Sequence, residues 1–271
     1  MAYRPAWAPD EIEIEQPSVA RMYDYYLGGS HNFAADRQLA ERATRAFPDV
    51  REFARANRAF LRRAVTFLAD AGVNQFLDLG SGIPTVGNVH EVAQAADPNA
   101  RTAYVDSDPV AYAHGSALLA GNSQAMFLQA DLRDSESVLN APELTGFLDL
   151  SRPVAVLLFS VLPFVPEEDD PAGIVAAYRD ATAPGSYLAL SHGTADYRPE
   201  AANSIAHVYN QASHSMTPRS RAQILGLMTG YQLVEPGLID IIRWRPEPNP
   251  LPDPLHGDVE RYSMYAAVGR K

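Results

Sequence analysis

From Asn74 onward, five short apolar runs recur along the chain, each followed by helical or loop sequence. They are Gln75–Leu79, Thr102–Asp106, Met126–Ala130, Val154–Phe159 and Tyr187–Ser191. Runs of this length and character fit parallel strands buried on both faces by helices. Two later strands, around Ile239–Trp244 and Tyr262–Val268, are expected to pair antiparallel across RPEPNPLPDPLHGD. Before Asn74 the period is helical. In DVREFARANRAFLRRAVTFLADAG, residues Phe53, Ala56, Phe60, Ala64, Phe67 and Leu68 share one face. Asp49 is expected as its N-cap and Gly72 as its C′ residue. Gly28 and Gly29, in YYLGGSHNF, must break any helix before them. A further helix is expected over Thr217–Met228, with Thr217 as N-cap and Pro218 at its first position. The fold class is therefore α/β, with a helical N-terminal cap over residues 1–73 and one integrated domain over 74–271. Met1–Ser18 reads either as an ordered arm or as a loose tail.

Composition excludes several function classes. A net charge of −11 disfavours nucleic-acid backbones and anionic membranes as partners. With no cysteine among 271 residues, disulfides, thiolate metal sites and cysteine nucleophiles are all removed. The seven histidines lack paired ligand spacing, so no metal is expected. The polar, acidic start is no signal peptide, and PVAVLLFSVLPFV is too short to cross a bilayer. A cytoplasmic location is expected, and the oligomeric state is not readable.

Open α/β sheets bind ligands beyond the carboxyl ends of their strands. The first strand ends in Asp78-Leu79-Gly80-Ser81-Gly82, where glycines let a ligand approach the backbone. A dinucleotide fingerprint would place a third glycine where Thr85 stands. The second strand ends at Asp106-Ser107, and a carboxylate there can accept from both ribose hydroxyls. The third ends near Asp131-Leu132, where an acid suits an adenine amino group and repels phosphate. Asp78 beside the turn suits an ammonium or sulfonium charge. Each acid alone is as well explained as a turn former or helix cap. Together they describe a pocket for a cationic adenosine compound, of which S-adenosylmethionine is one.

Here the sequence resembles class I S-adenosylmethionine-dependent methyltransferases, and within them an actinobacterial family known as S-adenosyl methyltransferases. The resemblance spans nearly the whole chain, through ARMYDYYLGGSHNFAADR, ANRAFLRRAVTFLADAGVNQFLDLGSGIPT, NVHEVAQ, AYVDSDP, PGSYLALSH and VEPG. It implies a Rossmann-like, seven-stranded, mostly parallel sheet with the last strand antiparallel. It also implies Gly80 and Gly82 against the methionine portion, Asp106 on the ribose, and Asp131 with Leu132 on adenine. Arg58 resembles an arginine that meets the cofactor carboxylate, although Arg62 and Arg63 stand close by and all three also read as solvated helix arginines. One departure is Pro163, in FSVLPFVPEEDD, where relatives commonly carry histidine. Ser160, in the same stretch, reads as a strand-end residue lining the pocket.

Methyl transfer needs alignment and exclusion of water, and a base only if the acceptor must lose a proton. His192 and His31 are the candidates for a catalytic base or orienting group, each with a structural reading beside it: a strand-end histidine and a turn histidine. Tyr23, Tyr25 and Tyr26 read as cap packing more readily than as a substrate cage, and His90 as an anchor for its helix. The leading expectation is a methyltransferase using S-adenosyl-L-methionine on a small-molecule acceptor. The alternatives are an NAD-dependent oxidoreductase and a non-catalytic regulatory protein that keeps the cofactor fold.

Overall fold

The computed structural model describes residues 12–84, 87–247 and 253–271, so Thr85, the first part of Met1–Ser18 and the middle of the proline-rich loop lie outside the described residues. The strands are β1 Gln75–Leu79, β2 Arg101–Asp106, β3 Ala125–Gln129, β4 Ala155–Phe159, β5 Tyr187–Gly193, β6 Gln232–Leu233, β7 Ile239–Asp240 and β8 Met264–Arg270. The first five coincide with the five apolar runs and pair in parallel, in the order β3-β2-β1-β4-β5. β8 runs antiparallel beside β5. The seventh position of the sheet is split, because β6 pairs with one end of β8 and β7 with the other. The strand expected over Ile239–Trp244 therefore stops after two residues. Ile241–Arg243 tightens into a 3₁₀ turn that drives Trp244, wholly buried, edge-on to Phe60 and Phe67 at 5.3 and 5.8 Å.

The helices used below are α1 Val19–Tyr26, α2 Ala34–Ala46, α3 Val50–Asp70, α4 Val89–Ala96, α5 Pro109–Leu118, α6 Ser135–Leu139, α7 Pro142–Thr145, α8 Pro171–Ala181, α9 Pro199–Tyr209, α10 Arg221–Leu227 and α11 Val259–Tyr262. Successive side chains of β1 point to opposite faces. Phe76 enters the core beneath α3 and α4, whereas Leu77 and Leu79 enter the core on the side of α6, α7, α8 and α10. Asp78 consequently faces the α3 layer. α3 serves two cores: Phe60, Leu61, Ala64 and Leu68 pack on the sheet, while Val50 and Ala54 join α1, α2 and α9. Gly72 ends it with φ +87°, as a C′ glycine should. No helix among the described residues is long and apolar enough to cross a membrane.

Two expected caps are corrected. Asp49 precedes α3 but makes no side-chain cap bond; its carboxylate takes Arg198 at 3.0 Å and Arg261 at 2.5 Å instead. The helix expected from Thr217 begins at Arg221, because Ser220 and Gln223 form a reciprocal capping box. Thr217 donates its amide to Pro163 O at 2.7 Å.

Candidate functional site

A cavity of about 410 Å³ opens over the carboxyl ends of β3, β2, β1, β4 and β5, beneath α1 and α9. It lies where the strand order reverses between β1 and β4, the usual ligand crevice of such sheets. Its first wall is the glycine turn. Gly80 has φ +68°, and its amide donates to Val105 O at 2.8 Å. A Cβ on Gly80 would stand 2.2 Å from Val161 Cγ2, so only glycine lets this turn meet the loop after β4. The amide of Gly82 donates to Asp106 Oδ2 at 2.7 Å, tying the turn to the end of β2.

Three of the expected acids line this cavity, in two different states. Burial pushes the Asp78 carboxyl up to about 7, with Arg58 opposing the shift and Asp106 adding to it. Burial likewise lifts Asp106 to about 6, offset by the amides of Asp108 and Gly82. Asp131 is half-exposed. Burial raises it, but contacts from Arg133 outweigh that and hold its carboxyl below the usual range. Arg133 bridges Asp131 at 2.6 Å and Asp169 at 2.8 Å, and Leu132 O accepts from Tyr178. This pins the turn after β3.

The remaining expected cofactor residues, Ser81, Ser107, Leu132 and Ser160, also line the cavity. Ser160 ends β4 with φ +57°, a backbone state that non-glycine residues hold only under constraint, and its amide donates to Ser191 O. Of the three neighbouring arginines Arg58, Arg62 and Arg63 on α3, Arg58 alone reaches the cavity, with Nη2 donating to Gly87 O at 2.9 Å. Arg62 faces Glu247, and Arg63 donates to Ile241 O and Trp244 O. Pro163 lines the opposite wall.

Neither expected catalytic histidine lines the cavity. His192 is wholly buried; Nδ1 meets Gly193 O at 2.6 Å and Nε2 meets Arg219 Nη1 at 3.1 Å. Burial depresses its pKa to about 3, so the neutral ring accepts from Arg219 and donates to the carbonyl. Arg219, itself buried, also donates to Leu162 O and Val165 O and so shapes the loop after β4. The placement of His192 is that of a buttress. His31 stacks on His114 at 3.7 Å, its amide donating to Asp24. His90 anchors α4, its Nδ1 meeting Tyr104 OH at 2.7 Å.

Sequence reasoning missed several wall residues. His214 is half-buried on the Asp131 side, beside Arg133. Asn57 links Tyr23 OH to Ser191 Oγ, joining α1, α3 and β5. Asp108 caps α5 and accepts from Ser18 Oγ, which draws Ile12–Ser18 across the cavity as a strap. The Asp108-Pro109 pair was a legible N-cap signal; nothing local signals the strap. Tyr23 and Tyr26 line the cavity after all, while Tyr25 faces Arg51 and Glu41 outside it.

Sheet order, switch-point cavity and strand-end carboxylates define a class I methyltransferase fold, and the donor set fits its cofactor. Buried carboxylates beside a glycine cradle suit a sulfonium and a ribose, and would repel a pyrophosphate. The chain belongs to the S-adenosyl methyltransferase family, whose model matches residues 5–271. A candidate methyltransferase from Thermobifida fusca is 39% identical, with 98% of this chain and 99% of that chain covered and a TM-score of 0.91. A DUF574-family protein from Streptomyces avermitilis is also 39% identical, over 95% and 98% of the two chains, with a TM-score of 0.88. An O-methyltransferase family protein from Burkholderia thailandensis, 13% identical over 84% and 62%, shares the fold at a TM-score of 0.51. No curated protein matches the chain. The cofactor is S-adenosylmethionine, which decides against the dinucleotide alternative.

Proposed function

We propose that this methyltransferase acts on a small-molecule acceptor, enclosed between the strand ends and a helical cap formed by residues before Asn74. The observation that carries this reading is the continuity of one cavity. Its acidic side lies over β1, β2 and β3, and its apolar side lies beneath α1 and α9. A pocket walled on all these sides suits a molecule that can be swallowed whole, and the acidic balance of the chain speaks against a polyanion.

When bound, S-adenosylmethionine supplies a methyl group already activated by its sulfonium. The protein's part is to bind, orient and dry the site. Asp106 is assigned to the ribose hydroxyls, Asp131 and Leu132 to the adenine edge, and Gly80, Ser81 and Gly82 to the methionine portion. Ser107 flanks the ribose position. Asp78 and Arg58 are assigned to the charged amino-acid end. Ser160 stands at the junction of the two halves, and Asn57 is fixed there by its bonds to Tyr23 and Ser191. The buried tyrosines are poor bases, since burial raises Tyr23, and takes Tyr209 to about 12. Rate enhancement is then assigned to alignment and desolvation by the walls.

Titration calorimetry with S-adenosylmethionine, S-adenosylhomocysteine and NAD tests the cofactor assignment; binding of NAD alone would overturn it. Transfer of a labelled methyl group into a metabolite extract tests the acceptor class. Label appearing only in protein or nucleic acid would refute a small-molecule acceptor.

A further inference from the structure

The apolar side of the cavity has a chemistry of its own. Resting on the methyltransferase reading above, we propose that it is an acceptor site for a flat aromatic molecule carrying no positive charge. From Asp131 to Gly193 the cavity crosses five neighbouring strands, about 19 Å at the usual strand spacing. The residues assigned to the cofactor end at β4. The space beyond, at the end of β5 and under the cap, is walled by Tyr23, Tyr26, Phe47, Phe53, Phe164 and Tyr209. These rings are already in mutual register. Phe47 meets Phe53 edge-on at 6.3 Å, and Phe164 meets Tyr209 at 5.2 Å. Phe53 and Met216 Cε close on Gly193, where an added Cβ would lie 3.4 and 3.7 Å away, so this wall abuts the end of β5.

The polar tips of that wall are engaged. Tyr26 OH bonds Tyr209 OH at 3.2 Å, and Tyr23 OH donates to Ala54 O while accepting from Asn57. A wall of rings with occupied hydroxyls rewards apolar area and edge or face contact, and offers little to a sugar or an amino acid. Its charged member is Arg198, which lies over the Phe47 ring at 5.3 Å and shares Asp49 with Arg261. A cationic acceptor would face the Arg198 guanidinium, the charged group on this wall, together with the cofactor's own charge. One face of Phe47 already holds the Arg198 guanidinium.

The test uses the full chain saturated with S-adenosylhomocysteine and four probes: 2-naphthol, 2-naphthoate, 2-naphthylmethylamine and decahydro-2-naphthol. Calorimetry should find 2-naphthol or 2-naphthoate bound, with the ammonium probe about tenfold weaker and the puckered alcohol weaker than its flat parent. Ala202→Phe, on α9 and lining the same wall, should weaken the flat probe about tenfold by filling its space, with S-adenosylhomocysteine affinity unchanged. Equal or better binding of the ammonium or puckered probe overturns the inference, as does absence of all probe binding while S-adenosylhomocysteine binds. Loss of S-adenosylhomocysteine binding in the unaltered protein would instead overturn the cofactor assignment. Should Ala202→Phe fail to fold, the probe comparison in the unaltered protein decides alone.

Discussion

At the ends of β1 and β2 the cavity is walled by carboxylates sunk into the protein, whereas beneath the cap it is walled by rings whose polar tips already bond one another. The first wall holds unfavourable electrostatics that a cation relieves. The second asks nothing of a ligand except shape and apolar surface. Asp78 and Asp106 are pushed up by burial, while Asp49, at the cap, is held down by Arg261 and Arg198, which outweigh its own burial. One half is built for binding at some expense of stability, and the other holds the cap in place.

That contrast is most severely tested by Asp106→Ala. It should weaken S-adenosylhomocysteine binding about a hundredfold, through loss of charge-assisted hydrogen bonds and of the acceptor for Gly82 N, and leave the aromatic wall intact. Unchanged affinity in calorimetry would remove Asp106 from the ribose role. Next, Gly80→Ala should cost about 2–3 kcal/mol of stability, from both the positive φ and the clash with Val161; a thermal melt that does not move would refute the close approach.

A smaller effect comes from pH. Between about pH 4 and 7 the folded protein holds protons on Asp78 and Asp106 that the unfolded chain has released. Before cofactor is added, their contribution to stability therefore falls as pH rises through that window. Cofactor affinity should move the other way, rising about tenfold from pH 5.5 to 7.5 as the carboxylates ionise against the sulfonium. Calorimetry in two buffers of different ionisation enthalpy should detect proton release, and a flat profile would break the distinction between the halves. Asp49 carries the opposite sign: its contribution is present at neutral pH and is lost as pH falls through its depressed pKa. The smallest effect is Asp49→Asn, which should cost about 1 kcal/mol, since its arginine partners are partly exposed; denaturant titration reads it.

The acidic half was legible because it sits at strand ends, and strands are set by local apolar runs. Asp78, Asp106 and Asp131 could be placed from the sequence for that reason. The aromatic half was not, because its members come from α1, the turn before α3, α3 itself, the loop after β4 and α9, and only tertiary packing assembles them. Tyr23, Tyr25 and Tyr26 show the difficulty: three neighbours on one short helix, two facing the cavity and one turned away. His192 misled because a strand end is where catalytic groups gather, yet its partner Arg219 lies 27 residues on and was invisible locally. Ser220 was the better helix cap than Thr217, and the signal, Gln223 three residues later, was there to be read.

The strap over the cavity bears on how the protein is made. Ser18 docks on Asp108, 90 residues downstream, and Val19 on Ser213, 194 residues downstream. A ribosome delivers the strap before either partner exists, and the near anchor is Asp36, which accepts from the Ser18 amide only 18 residues on. The strap is therefore fastened in stages, at Asp36, then at Asp108 after β2, and last at Ser213, once all five parallel strands have been made.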